Sequence, residues 1–330
     1  MKRIIRLLFL FAILMVMMSA DNHHPVIYII GDSTAAEKSD FQNNPERGWG
    51  MVLQGFFTED VTVSNHAVNG RSSKSFINEG RWQKVLDELK PGDYVVIQFG
   101  HNDSKPSPDR HTDPGTTFDA NLERYVNEAR AKGATPILMS PVARRSFYNV
   151  VDTVTEDEAL RNVAYGDEKI NSDTLVDTHG KYRLSAANVA HRLNVAYVDA
   201  NAITTRIEQQ YGIQGSRYLH MWLKPDECSA IPNGRKDNTH YNIYGARVVA
   251  GALADAIGDV VPELKPYVRH YDSVVSTQGR GNYLTLQDAI KALHPGRTYR
   301  ILVIDGTWQT PKIPKGVKVE IDKYSSVEIQ

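Results

Sequence analysis

The sequence predicts an α/β protein, a parallel sheet with helices on both faces, and two observations carry that expectation. Short apolar runs at 26–30, 61–64, 94–99, 136–139 and 195–198 alternate with longer segments at 82–89, 118–131, 183–193, 200–211 and 243–257. In the longer segments the apolar residues recur at helical spacing. Alternation of this kind argues for a parallel sheet, because parallel neighbours need a crossover that a helix supplies. The second observation is that polar blocks stand directly after several runs, at the strand ends where open α/β sheets bind ligands.

Taken in order, the first run, Val26-Ile27-Tyr28-Ile29-Ile30, is followed at once by Gly31-Asp32-Ser33, and the second run is followed by Asn69-Gly70-Arg71-Ser72. The helical segment 82–89 is stopped by Pro91-Gly92, and 118–131 is closed by Lys132-Gly133. The third run leads into Gly100-His101-Asn102-Asp103. Residues 144–181 are polar and poorly periodic, and are read either as a specificity loop on the ligand side or as a surface insertion. Asp237-Asn238-Thr239-His240 precedes the last helix of the main unit, 243–257. Two prolines then bracket a polar stretch, so 263–269 is expected to be a linker. Beyond it, 270–330 is expected to hold one helix over 283–293 and short strands rich in Val and Ile, a piece marginal for folding alone.

With 330 residues, 41% hydrophobic and 23% charged, the chain can bury a full core, and a formal net charge of −1 gives no general attraction to nucleic acid or anionic membranes. Met1-Lys2-Arg3 and Arg6 precede an apolar stretch at 7–18 and then Ser19-Ala20, the layout of a secretory signal peptide. We therefore expect residues 1–20 to be removed, the protein to be exported to the periplasm or beyond, and no stable membrane insertion afterwards. Loss of Lys2, Arg3 and Arg6 leaves 35 basic against 39 acidic residues, a net of −4. Cys228 is the single cysteine, so no intrachain disulfide forms, and it is read as a packing thiol.

The four polar blocks together supply the parts of acyl transfer, which needs a nucleophile, a base, an orienter for the base and donors for an oxyanion. Ser33 can attack, His240 can take its proton, and Asp237 can hold the imidazole tautomer. The backbone N–H groups of Ser33 and Gly70 and the Asn102 side-chain amide can face the developing oxyanion. Glycine at 70 permits an unusual backbone angle, and Asn102 is a donor that never ionises. Each block also has an ordinary reading: Asn69-Gly70 as a turn, Asn102 as a helix cap, His240 as a surface histidine. A metal site of His101, Asp103, Asp237 and His240 is the alternative chemistry, although no compact ligand motif is present.

These blocks resemble the SGNH (GDSL-type) hydrolases. Longer matches, Gly31-Asp32-Ser33-Thr34, Gly48-Trp49-Gly50, 69–76, Gly80-Arg81-Trp82 and Gln98-Phe99-Gly100-His101-Asn102-Asp103, are similar to the rhamnogalacturonan acetylesterases over about 25–262. The resemblance implies a three-layer flavodoxin-like fold, no cofactor, and removal of acetyl groups from an acetylated pectic polysaccharide or oligosaccharide. It departs from fungal members in lacking cysteine pairs. Arg71 and Lys74, with Arg81 and Lys84, form a basic cluster in sequence that would meet galacturonate carboxylates. Trp49, Trp82 and Trp222 would stack on sugar rings.

The segment Thr277-Gln278-Gly279-Arg280-Gly281-Asn282-Tyr283 and onward, with Ile313-Pro314-Lys315-Gly316-Val317, resembles the start of a pectin methylesterase, in which such a helix caps a right-handed parallel β-helix. No activity is assigned to it. The leading expectation is an exported carbohydrate O-acetyl esterase. Other SGNH activities (acetylxylan esterase, lipase, thioesterase) and a non-catalytic glycan-binding protein are the alternatives.

Overall fold

A computed structural model describes residues 23–149 and 168–330. The expected signal peptide over 1–20, and the middle of the loop expected over 144–181, lie outside the described residues. The central sheet is built from β1 (Val26–Gly31), β3 (Thr62–Asn65), β4 (Tyr94–Gln98), β5 (Thr135–Met139) and β6 (Ala196–Val198), all parallel in the order β3-β1-β4-β5-β6. The order reverses between β1 and β4. In a doubly wound sheet that switch point opens a crevice beyond the strand ends.

Strand pleating assigns the core. Ile27 and Ile29 of β1, with Val96, Ile137 and Met139, face one layer, while Tyr28 and Ile30, with Val95, Ile97 and Leu138, face the other. The first layer is covered by α6 (Ile243–Val260) and by a short turn at Leu53–Phe56. Ala246, Val249, Ala250, Leu253, Ala254 and Ile257 make a continuous apolar stripe on α6, and Asn242 caps it by accepting the N–H of Gly245 at 2.9 Å. Also against this layer lies α5 (Ala200–Gly215), kinked at Gly212. The second layer carries α1 (Ser73–Asn78), α2 (Arg81–Glu88), α3 (Thr117–Ala131) and α4 (Lys181–Leu193). Helix α3 buries Phe118, Leu122, Tyr125, Val126 and Ala129, and ends at Gly133, whose φ of +78° suits the left-handed position after a helix. The protein is thus a three-layer α/β/α fold of flavodoxin-like strand order.

Two short strands outside this sheet, β2 (Glu46–Arg47) and β7 (Tyr241–Asn242), pair antiparallel, with Arg47 opposite Tyr241. The expected linker is docked on the first layer: Leu264 is fully buried and Val268 bridges Phe57. The C-terminal unit follows with β8 (Ser273–Val275), α7 (Leu286–Lys291), β9 (Thr298–Val303), β10 (Thr307–Trp308), β11 (Lys318–Lys323) and β12 (Glu328–Ile329). Two parallel sheets form, β11-β9-β8 and β10-β12, around Val275, Leu286, Ile290, Ile301 and Val303. The expected helix over 283–293 is shorter, because Tyr283 bridges Val275 and Thr285 turns its side chain to cap α7. Among the described residues no helix is long and apolar enough to cross a membrane.

The two units are joined by partly buried polar bonds. Tyr324 Oη lies 2.7 Å from the Phe57 carbonyl and 3.0 Å from that of Gln54, and burial pushes its pKa up to about 12. A folded-state pKa above the unfolded value means that this stabilisation is whole below about pH 10 and is lost as pH rises through about 12. Tyr324→Phe is expected to lower stability at pH 8 by about 1–2 kcal/mol. The difference between wild type and variant should shrink between pH 10 and 12, as read by chemical denaturation at each pH.

Candidate active site

The turn after β1 fixes Ser33. Asp32 is fully buried; its Oδ1 accepts the Thr34 N–H at 2.9 Å and the Thr34 hydroxyl at 2.7 Å, and its carbonyl accepts the N–H groups of Ala35 and Ala36. Such a side-chain-closed turn leaves the next side chain one direction to take. Under it, the His101 ring lies 3.2 Å from Asp32 and packs edge-on to His179 at 4.5 Å. Burial pushes both imidazoles down and keeps them neutral.

Ser33 Oγ lies 2.8 Å from His240 Nε2, and His240 Nδ1 lies 2.8 Å from Asp237 Oδ2. With the serine hydroxyl donating to Nε2, the ring proton sits on Nδ1 and is donated to Asp237. Asp237 Oδ1 accepts the N–H groups of Thr239 at 2.8 Å and His240 at 2.9 Å, while Arg235 reaches Oδ2 from Nε at 3.0 Å and from Nη2 at 2.5 Å. Burial works to raise the Asp237 carboxyl, but the imidazole, Arg235 and the two N–H donors outweigh it and hold it well below the usual carboxylate range. Asp237 therefore keeps its charge on acidification.

The loops after β3 and β4 bring the remaining donors. Gly70 has φ +76° with open space where a Cβ would stand, so its backbone angle and not crowding selects glycine. Asn102, 7% exposed, donates one N–H to the Arg71 carbonyl at 3.2 Å, and its second N–H remains to be offered to a ligand. Asp103 ties the two loops together by accepting the Ser73 N–H at 3.0 Å, the Ser73 hydroxyl at 2.5 Å and the Thr112 hydroxyl at 2.9 Å; burial pushes its carboxyl up to about 6. Asp103 is thus committed away from His240. Among the described residues no three His, Cys, Asp or Glu side chains are grouped to hold a metal ion.

Three residues that sequence reasoning did not single out complete the framework. Lys38, 8% exposed, places its three ammonium protons on the Ser33 carbonyl, Asn69 Oδ1 and Glu46 Oε1, each at 2.8 Å. Glu46 Oε2 in turn takes Arg235 Nη1 at 2.5 Å. Nothing local marks Lys38 or Glu46, but Arg235 stands two residues before Asp237, which was a usable signal.

Ser33, Gly70, Asn102 and His240 line one cleft of about 370 Å³, together with Lys105, Arg110, Arg144 and Arg235. The expected tryptophan contacts are corrected. Trp49 is fully buried with its Nε1 donating to Gln98 at 2.8 Å, and Trp82 is 1% exposed with Nε1 on Glu128 at 2.6 Å, so neither offers a ring face. Trp222 is likewise packed, under the Arg217 guanidinium and donating to Asn238. Arg71 and Arg81 both pair with Glu79, Lys74 donates to the Pro108 carbonyl, and Lys84 borders a separate hollow. Three of the four cations at the cleft, Lys105, Arg110 and Arg144, come from the loops after β4 and β5, and Arg235 comes from the segment before β7. Arg144 opens the segment read as a specificity loop, so the strand-end rule could have found it.

Residues 29–248 match the GDSL-like lipase/acylhydrolase family. The chain is 35% identical over 254 residues to the rhamnogalacturonan acetylesterase RhgT of Bacillus subtilis, covering 77% of this chain and 96% of that protein. It is 32% identical over 234 residues to a rhamnogalacturonan acetylesterase of Emericella nidulans, covering 70% and 84%. Among solved structures, the YxiM protein of Bacillus subtilis aligns with a TM-score of 0.54 at 23% identity, over 71% of this chain and 56% of that one, a likeness of fold.

The framework generates a prediction about nucleophile reactivity. Lys38→Met removes the brace shared by the Ser33 and Asn69 loops. The rate at which a fluorophosphonate labels Ser33 should fall on the order of 10- to 100-fold, the usual effect of misplacement by about an ångström, with far-UV circular dichroism retained.

Proposed function

Since the chain belongs to the GDSL-like lipase/acylhydrolase family, whose members hydrolyse carboxylic esters, we propose that it removes acetyl groups from pectic rhamnogalacturonan through a Ser33 acyl-enzyme. The observation that carries the mechanism is the unbroken hydrogen-bonded relay from Ser33 through His240 to Asp237 at the sheet's switch point. In the first half-reaction Ser33 Oγ attacks the acetyl carbonyl carbon while its proton passes to His240 Nε2. Negative charge gathers on the carbonyl oxygen, within reach of the Ser33 and Gly70 N–H groups and the second Asn102 N–H. On collapse the bond to the sugar oxygen breaks, and His240 returns the proton to that oxygen. Water then repeats the sequence: His240 takes its proton, the hydroxide adds to the acyl carbon, and Ser33 leaves with the proton as acetate departs.

The substrate reading has two supports besides the relatives' names. Among the described residues the cleft lining contains no Ala, Val, Leu, Ile or Met side chain, so a long acyl chain would find little there to bury against, whereas an acetyl group needs little. Its cations suit an acidic glycan. Export is part of the proposal and rests on the sequence of residues 1–20 alone, with removal near Ala20 to be read by N-terminal sequencing of the mature protein.

Acetate release should be greatest from acetylated rhamnogalacturonan, lower from acetylated homogalacturonan and least from acetylated xylan; no preference for the pectic polymers would remove the substrate claim and leave the esterase claim. Ser33→Ala should reduce release to background. Asp237→Asn should lower kcat on the order of 10²- to 10⁴-fold, since an amide permits the wrong imidazole tautomer.

A further inference from the structure

We propose that Arg144 and Arg110, on the loops that follow β5 and β4, form a carboxylate subsite beside the acyl site, so that the enzyme requires a free uronate carboxylate on its substrate. The inference rests on the acidic-glycan reading above and adds a demand that reading does not make: the carboxylate must be unesterified.

Four cations line the cleft, and they differ in what they already hold. Arg235 is committed to Asp237 and Glu46. Among the described residues Arg144 is held by neutral groups: its Nη1 donates to the Thr178 hydroxyl and its Nη2 to the His101 carbonyl, each at 3.2 Å. Its Nε is buried with no hydrogen-bond partner among the described residues. A guanidinium positioned by uncharged acceptors is not neutralised by them and has spare donors for an incoming anion. Among the described residues neither Arg144 nor Arg110 has a carboxylate partner, so both differ from Arg71 and Arg81, which Glu79 neutralises.

The placement couples this subsite to the chemistry. Arg144 is anchored on the carbonyl of His101, and the next residue, Asn102, supplies the side-chain oxyanion donor. One peptide unit thus fixes the distance from the bound carboxylate to the reacting carbonyl. A carboxylate docked on Arg144 aligns an acetyl group carried on the same or the neighbouring ring. Methyl esterification removes the charge and one acceptor, and leaves the half-buried guanidinium facing a neutral ester. It follows that hydrolysis of uronate methyl esters must precede deacetylation of the same region of polymer.

The test compares an acetylated uronate oligosaccharide with free carboxylates against the same material after methyl esterification. For the wild type, kcat/KM should be higher on the free acid on the order of 10- to 100-fold, mainly through KM, and the ratio should shrink with added salt. In Arg144→Gln and in Arg110→Gln the ratio should fall toward one, whatever the absolute rate. The second variant guards against loss of loop structure in the first. A wild-type ratio near one, or a ratio that survives in both variants, would overturn the subsite. A separate arm measures inhibition of p-nitrophenyl acetate turnover by oligogalacturonate and by its methyl ester. Stronger competitive inhibition by the free acid supports the subsite and equal inhibition refutes it. If the acetylated oligosaccharide releases no acetate in either form while p-nitrophenyl acetate is turned over, the pectic reading fails, and the inhibition arm still decides the subsite.

Discussion

A closed circuit of charge begins and ends at Ser33. Its carbonyl accepts Lys38, Lys38 pairs with Glu46, Glu46 with Arg235, Arg235 with Asp237, Asp237 with His240, and His240 with the Ser33 hydroxyl. The members come from loops that leave the sheet at different points, and nothing in the sheet itself brings residue 33 within hydrogen-bond reach of residue 240. Desolvating so many ions is unfavourable, and the circuit is tolerable only because each charge has an opposite partner and each donor an acceptor. Removing one member would leave another buried and unpaired, a loss of about 3–5 kcal/mol. The circuit therefore has a single low-energy arrangement, and that arrangement places the imidazole on the serine.

The same constraint reaches the C-terminal unit. Glu46 and Arg47 form β2, which pairs with β7 immediately after His240. Arg47, 2% exposed, spends its guanidinium on the carbonyls of Phe41, Asn44, Glu46 and Gly279, the last of these in the C-terminal unit. Gly279 can approach because it has no Cβ: one built there would stand 2.7 Å from the Phe41 ring, and its φ is +73°. The segment whose sequence resembles the start of another enzyme is, in this fold, a buttress against the ribbon that carries His240.

How much of this was legible in the sequence depended on how local each signal was. Ser33, Gly70, Asn102, Asp237 and His240 each stand just past an apolar run or just before a helix, so strand-end geometry alone put them on one edge of the sheet. The direction of a side chain on an element was harder to read. Trp82 lies on α2 with Val85 and Leu86 three and four residues later, a spacing that marks the buried face, yet its sugar-like breadth suggested a ligand platform. Trp49 sits between two close-packed glycines and gave no periodicity to follow. Lys38 and Glu46 act through partners that are close only after folding. Arg71 and Lys74 are near Gly70 in sequence, but the turn into α1 points them at Glu79 and at the Pro108 carbonyl.

Charge at the cleft runs against the charge of the chain. The full sequence carries a formal net of −1, yet the acids beside the serine are already matched, Asp237 and Glu46 by Arg235 and Lys38. Among the described residues, Arg110 and Arg144 on the loops after β4 and β5 remain to set the field at the cleft. A low-dielectric, concave site concentrates that field, so selection for an anion is local and does not require a basic protein. This separates two tasks that share one pocket: the closed circuit fixes protons and geometry at Ser33, and the open cations, lacking carboxylate partners within the described fold at Arg110 and Arg144, are left to the substrate.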